Sequence, residues 1–163
     1  MPTPHLRLDH VALPARDAEG TLRFYTDVLG LRLIDACSGD DWGGQPWMMM
    51  VFAAGDGRSL ALSVRRGGEP GAEGASAAEA GADDVRHLAF AVATQDDLEG
   101  WRERLRAHGV ECRDEDHGAQ QSIYFADPNG NVVEITAPAS ETAMPGNAAA
   151  LGIVQRWIER GRA

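Results

Sequence analysis

Two histidines recur at the same place in a repeated sequence pattern. His10 lies in the run DHVAL and His87 in the similar run RHLAF, and each run leads into a helical stretch that stops at a glycine. His87 follows His10 by 77 residues and Gly109 follows Gly30 by 79, so the copies register with a two-residue insertion in the second helix. Repetition on this scale predicts two similar modules packed together, with the site between them.

A carboxylate on the last strand adds to these histidines. In that strand Val133 and Ile135 alternate toward the core, which leaves Glu134 on the opposite face. His87 likewise shares a face with Ala89 and opposes an apolar face. An acid in the middle of a strand is costly on a buried surface unless a charge compensates it. Because the histidines are equivalent in the repeat, we favour a bound cation over two strand-end histidines and a solvated acid.

The elements that position these residues follow the same order twice. In the first copy a strand at His10 precedes a helix capped by Asp17 and ended by Gly30, and strands follow at about 31–37, 47–53 and 59–65. In the second copy a strand at 86–92 precedes a helix at about 95–108 and strands at about 110–114, 120–126 and 131–136. The predicted fold is therefore α+β, with two βαβββ modules.

We expect residues 1–138 to form one domain, because each half is too small to bury an adequate core alone. It consists of module 1 at 7–66, a flexible linker at 67–85 that is rich in glycine, alanine and acid, and module 2 at 86–138. Residues 139–163 form a C-terminal extension. Its amphipathic helix has apolar residues at helical spacing: Leu151, Val154, Trp157 and Ile158.

The composition limits the class of partner and the location. The net charge is −10, and all 15 basic residues are arginine without a basic cluster, which argues against nucleic acid and anionic membranes. We therefore expect a small-molecule partner. No apolar run is long enough to cross a bilayer and the start lacks a signal-peptide pattern, so the expected location is cytoplasmic. Cys37 and Cys112 are expected to be reduced, partly buried thiols.

Three motifs resemble the vicinal oxygen chelate superfamily of glyoxalases, fosfomycin and bleomycin resistance proteins, and extradiol dioxygenases. They are DHVAL at 9–13, FYTDVLGL at 24–31 and YFADPNGNVVE at 124–134, and the resemblance covers about residues 7–137. It implies that the modules curl into a half-open barrel around a divalent metal. By position, the implied ligands are His10, His87 and Glu134, a set that suits Fe(II), Mn(II), Zn(II) or Ni(II).

Three features of the sequence bear on which group of superfamily members the chain resembles, without selecting one. Ala61 stands where four-ligand members such as glyoxalase I carry a second acid, and Ser63 is the nearest polar side chain on that face. Tyr124 matches a tyrosine of extradiol dioxygenases, but no histidine occurs between 11 and 86, where those enzymes carry a further catalytic one. Fosfomycin-modifying members use lysine to bind phosphonate, and this chain offers arginines such as Arg65 or Arg113.

Two further residues are candidates for catalysis, and a small set is expected to line the substrate pocket. Tyr124 has packing or hydrogen bonding as its alternative role, and His117 can act as an acid or base or be an exposed loop histidine. For the tryptophan and methionines of the pocket set, ordinary core is the alternative. The expected pocket residues are Ala12, Trp47, Met48, Met50, Ala61, Ser63 and Ala89.

Two functions follow from this pattern. The first is a metal-dependent enzyme, dioxygenase-like or lyase- or transferase-like, in which the metal is a Lewis acid for a small substrate with vicinal oxygens. The second is a metal-free binding or sequestration protein that resembles bleomycin resistance proteins. It is favoured by the tryptophan and methionine segment at 42–50 and by an acidic surface suited to a cationic drug. A homodimer is expected in either case, with an apolar stripe of the tail helix to bury.

Overall fold

The computed structural model describes residues 7–55, 57–65, 86–138 and 150–160. Each module contains a strand, a helix and three further strands, and the first helix continues into a π-helical turn at Phe24–Val28. The elements are β1 (His10–Ala15), α1 (Ala18–Arg23), β2 (Leu33–Gly39), β3 (Trp47–Ala53), β4 (Ser59–Arg65), β5 (Leu88–Ala91), α2 (Gln95–Ala107), β6 (Arg113–Asp116), β7 (Gln120–Ala126), β8 (Val132–Pro138) and α3 (Ala150–Arg160).

The strands form two separate four-stranded sheets with the same topology. Their orders are β1-β4-β3-β2 and β5-β8-β7-β6, and in each sheet the first pair is parallel and the others are antiparallel. Ala12 pairs with Ala61 in the first sheet as Ala89 pairs with Glu134 in the second. This register confirms the predicted repeat and the half-open architecture, and it places Ala61 at the position equivalent to Glu134.

Two strands begin later than the sequence predicts, for the same physical reason. After each helix a glycine takes a positive φ, 69° at Gly30 and 72° at Gly109. The next residue then bonds back to the helix: Leu31 N donates to Tyr25 O at 2.8 Å, and Val110 N to Leu105 O at 2.9 Å. Because these residues complete the helix ends, β2 starts at residue 33 and not 31, and β6 at 113 and not 110.

Both modules contribute to one hydrophobic core. Phe52, Leu60 and Leu62 are buried in the first sheet, and Ile123, Phe125, Val133 and Ile135 are buried in the second. The helices cover these faces with the buried side chains of Phe24, Tyr25, Leu98 and Leu105. The opposite faces, which carry His10 and His87, are more exposed.

A buried turn joins the modules. Asp127, between β7 and β8, accepts hydrogen bonds from the Asn129 and Asn131 backbone N–H groups at 2.8 Å and from the Tyr25 hydroxyl at 3.0 Å. Asn129 Oδ1 accepts from Arg16 N at 2.7 Å, and the Asn131 side chain donates to the carbonyl of Pro14 at 3.0 Å. The start of β8 is therefore fixed to the end of β1.

The Tyr25 phenol makes the stability sensitive to alkaline pH. Burial, followed by the charge of Asp127 and its hydrogen bond, raises the pKa of Tyr25 above its usual value. Its contribution is therefore complete below about pH 10 and is lost as pH rises further. We expect Tyr25→Phe to cost about 1–2 kcal/mol at pH 7 and to flatten the fall in the free energy of unfolding above pH ~10. Urea unfolding at several pH values measures both, and an unchanged alkaline slope would contradict the prediction.

The linker at 67–85 lies outside the described residues, so the predicted domain boundaries stay predictions. Helix α3 forms as expected, and its apolar side chains Leu151, Val154, Trp157 and Ile158 are exposed. Within the described ranges, no helix has the length and apolar character needed to cross a membrane.

Cys37 and Cys112 are free thiols, as expected. Cys37 is exposed, however, and not partly buried, because both faces of the edge strand β2 are open.

Candidate metal and substrate site

His87 and Glu134 meet on the open face of the second sheet. The Nε2 atom of His87 lies 2.9 Å from Oε2 of Glu134. The histidine side chain is 34% exposed and the glutamate side chain 4% exposed, so the acid is buried beneath a ring that reaches solvent. Strand pairing explains the meeting, because β8 lies beside β5 and Glu134 pairs with Ala89, two residues after His87.

The second oxygen of Glu134 shows that this pair fits a cation. Oε1 is buried and has no hydrogen-bond partner among the described residues. A buried carboxylate oxygen without a partner is costly, and charge compensation by a metal removes that cost. Imidazole nitrogen and carboxylate oxygen are both ligands of Fe(II), Mn(II), Zn(II) and Ni(II). The two residues therefore suit a divalent metal chemically.

His10 does not join this pair within the described structure. Its Nδ1 atom lies 2.9 Å from Oδ1 of Asp9, and its side chain is 57% exposed. Among the residues that the structure describes, no three His, Cys, Asp or Glu side chains come close enough together to hold a metal. The chain thus assembles two of the three predicted ligands, and the third lies on the open face of the other sheet.

Tyr124 and His117 both lie beside the His87 and Glu134 pair. The rings of Tyr124 and His87 meet edge to face with centroids 5.6 Å apart. Burial, and then the interaction of its hydroxyl with the Glu134 carboxylate, raises the pKa of Tyr124 to about 12, so the phenol stays protonated at neutral pH. His117 Nε2 lies 3.1 Å from the Tyr124 hydroxyl oxygen. His117 is exposed, and this contact places it to orient that hydroxyl.

The predicted pocket residues divide between two faces of the sheets. On the faces that carry the histidines lie Ala12, Trp47, Ala61, Ser63 and Ala89. Met50 is instead buried in the core and Met48 packs against it, so the expectation that these two line the pocket is wrong. Strand alternation explains the correction, since Met49, and not its neighbours, shares a face with Trp47 and pairs with Ser63.

Arg113 and Tyr124 were both candidates from the sequence, which did not place them at the wall of one cavity. A cavity of about 410 Å³ opens where β6 diverges from β7. The late start of β6 creates this gap, and that start depends on the helix end at Gly109, which the sequence did signal as a helix stop. The residues around it are Phe24, Gly109, Val110, Glu111, Cys112, Arg113, Tyr124, Ala126, Asp127 and Pro128.

The sequence matches a known protein family over most of its length. Residues 7–135 match the family described as the glyoxalase/bleomycin resistance protein/dioxygenase superfamily. The chain belongs to this superfamily. His87 and Glu134 lie in its second βαβββ module.

Individual relatives include a curated enzyme and several solved structures. Over 130 residues this chain is 30% identical to biphenyl-2,3-diol 1,2-dioxygenase 3 of Rhodococcus globerulus. The match covers 79% of this chain and 62% of that enzyme's length. A domain from Frankia sp. EAN1pec has a TM-score of 0.62 at 22% identity, covering 85% of this chain and 96% of the other. The fosfomycin resistance protein FosX of Listeria monocytogenes has a TM-score of 0.59 at 20% identity, covering 85% and 98%. A FosX variant in complex with Mn(II) matches at a TM-score of 0.57 and 18% identity, covering 85% and 94%.

Proposed function

We propose that the protein is a metal-dependent enzyme that acts on a small substrate with two adjacent oxygens. The observation that carries the proposal is the buried Glu134 carboxylate, which contacts His87 at 2.9 Å through one oxygen and has no described partner at the other. His87, Glu134 and His10 would hold a divalent metal. When bound, that metal would supply Lewis-acid chemistry for the substrate oxygens.

The residues around the pair have defined roles in this proposal. Tyr124, protonated at neutral pH, donates a hydrogen bond to a carboxylate or to a substrate oxygen, and His117 orients its hydroxyl. The small side chain of Ala89 leaves space above Glu134. The dioxygenase relative favours ring-diol substrates, whereas the missing second acid at Ala61 disfavours four-ligand lyase chemistry. A cytoplasmic location remains a prediction from composition.

We further propose that His10 reaches the site from a second copy of the chain. His10 and Ala12 are exposed on one sheet, and His87 and Ala89 are exposed on the other, so each chain presents two open half-sites. Two copies related by a two-fold axis can complete two equivalent sites. This arrangement supplies the third ligand that the described residues of one chain do not bring together.

Mixing two defective variants tests the metal site and the shared architecture together. We expect His10→Ala and His87→Ala each to lose Mn(II) or Fe(II) binding as pure dimers. After subunit exchange, half of the dimers pair the two variants, and each such dimer has one intact site, so about one quarter of wild-type binding returns. Metal analysis after gel filtration measures the recovery. No recovery would contradict a shared site, and wild-type binding by both pure variants would contradict the metal site itself.

Sequestration of a cationic compound is the second candidate function. The Arg65 guanidinium carbon lies 4.3 Å from the centroid of the Trp42 ring, and Trp47 meets Trp42 edge to face at 5.4 Å. An exposed tryptophan whose face already accepts a cation can accept a cationic ligand in its place. Stabilisation of the wild-type protein by a basic aromatic compound, with no response to metals or chelators, would favour this function over the enzyme.

A further inference from the structure

Arg113 lies in the same row of side chains as the proposed metal ligands. It pairs with Tyr124 across β6 and β7, and Tyr124 pairs with Glu134 across β7 and β8. All three side chains share the face that carries His87. The Arg113 guanidinium carbon lies 5.3 Å from the centroid of the Tyr124 ring. The permanently charged Arg113 guanidinium is therefore separated from the proposed ligands His87 and Glu134 by the width of the Tyr124 side chain.

The cavity beside this row supplies an apolar space. Its volume of about 410 Å³ falls within the range of small-molecule sites, and Phe24, Val110 and Ala126 contribute apolar walls. Arg113 and Tyr124 both line it, and Glu134 lies beside Tyr124 on the next strand. A ligand in the cavity therefore contacts the row of side chains that includes Glu134.

The present partner of Arg113 leaves its guanidinium available to a ligand. Glu115 lies 3.2 Å away in an ion pair whose side chains are 61% and 41% exposed. Exposed pairs of this kind contribute little to stability, so exchange for another carboxylate costs little. The planar guanidinium matches a carboxylate with two parallel hydrogen bonds.

We propose that Arg113 is a specificity-determining residue that binds a carboxylate on the substrate. The apolar body of that substrate fills the cavity, and its adjacent oxygens face His87 and Glu134. The substrate class is therefore an apolar, ring-sized compound that carries two vicinal oxygens and a separate carboxylate. This inference rests on the proposed metal-dependent function and adds the chemical class of the substrate.

Paired probes test the assignment on the full chain loaded with Mn(II). Protocatechuate is a catechol with a carboxylate. Its binding is compared by titration calorimetry with that of the neutral catechol in which a methyl group replaces the carboxylate. We expect wild type to prefer protocatechuate by about tenfold, and Arg113→Gln to lose that preference while binding Mn(II) normally. Arg113→Lys should retain part of the preference, and Glu115→Gln should increase it, because the competing carboxylate is gone.

Arg23→Gln is the matched control, because it removes the same charge from an exposed position on α1. It should leave the ratio of the two probe affinities unchanged. An unchanged ratio in Arg113→Gln, with Mn(II) and both probes bound, overturns the role of Arg113 alone. Binding of Mn(II) without either probe overturns the substrate class, and failure of wild type to bind Mn(II) overturns the proposed function together with this inference.

Discussion

Glu134→Gln is expected to weaken Mn(II) or Fe(II) binding more than about 100-fold, which exceeds the loss seen when a group that merely supports a ligand is removed. The amide keeps the shape of the side chain but replaces an anionic ligand by a neutral one. At a metal concentration of about 100 times the wild-type dissociation constant, metal should stabilise wild type by about 2.7 kcal/mol and the variant hardly at all. Thermal unfolding with and without metal measures the difference.

The stability of the Glu134→Gln variant without metal provides an internal comparison. Because one carboxylate oxygen of Glu134 is buried without a described partner, the neutral amide should leave the stability of the metal-free protein unchanged or increase it. Glu103→Gln, an exposed change on α2, is the matched control and should respond to metal as wild type does. Equal metal affinity of the Glu134 variant and wild type would exclude Glu134 as a ligand.

Asp127→Ala is expected to lower the free energy of unfolding by about 3–5 kcal/mol, because it leaves several buried donors without an acceptor. These donors are the backbone N–H groups of Asn129 and Asn131 and the hydroxyl of Tyr25. Asp127→Asn keeps one carbonyl oxygen and should lose less. Urea unfolding measures both variants, so the prediction remains testable if the alanine variant does not fold.

Asp116→Ala is the control for this second prediction. Asp116 accepts a hydrogen bond from Gly118 N at 2.7 Å in a local turn of the same kind, but at an exposed position. Because water replaces the lost acceptor there, we expect a change within about 1 kcal/mol. Equal losses from the two alanine variants would mean that burial of the Asp127 turn contributes nothing.

The sequence predicted the repeated modules because each strand and helix carries its own local signal. Alternation placed His87 and Glu134 on one face, and the strand register brings them together. The same alternation failed for Met48 and Met50, since a continuous apolar run does not indicate which face points inward. The cavity wall at Arg113 was not predictable because it depends on where β6 separates from β7. The separate position of His10 likewise depends on how whole sheets sit, which no local pattern encodes.

The buried turn at Asp127 has a consequence for how this protein can diversify. It ties β8, which carries Glu134, to β1, which carries His10, whereas β2 and β6 lie at the edges of their sheets away from this turn. If Arg113 binds the substrate as proposed, substitutions on those edges would alter ligand preference without loosening the turn that holds β1 and β8 together. The scaffold would then separate the positions that hold the proposed ligands from those through which new chemistries can be explored.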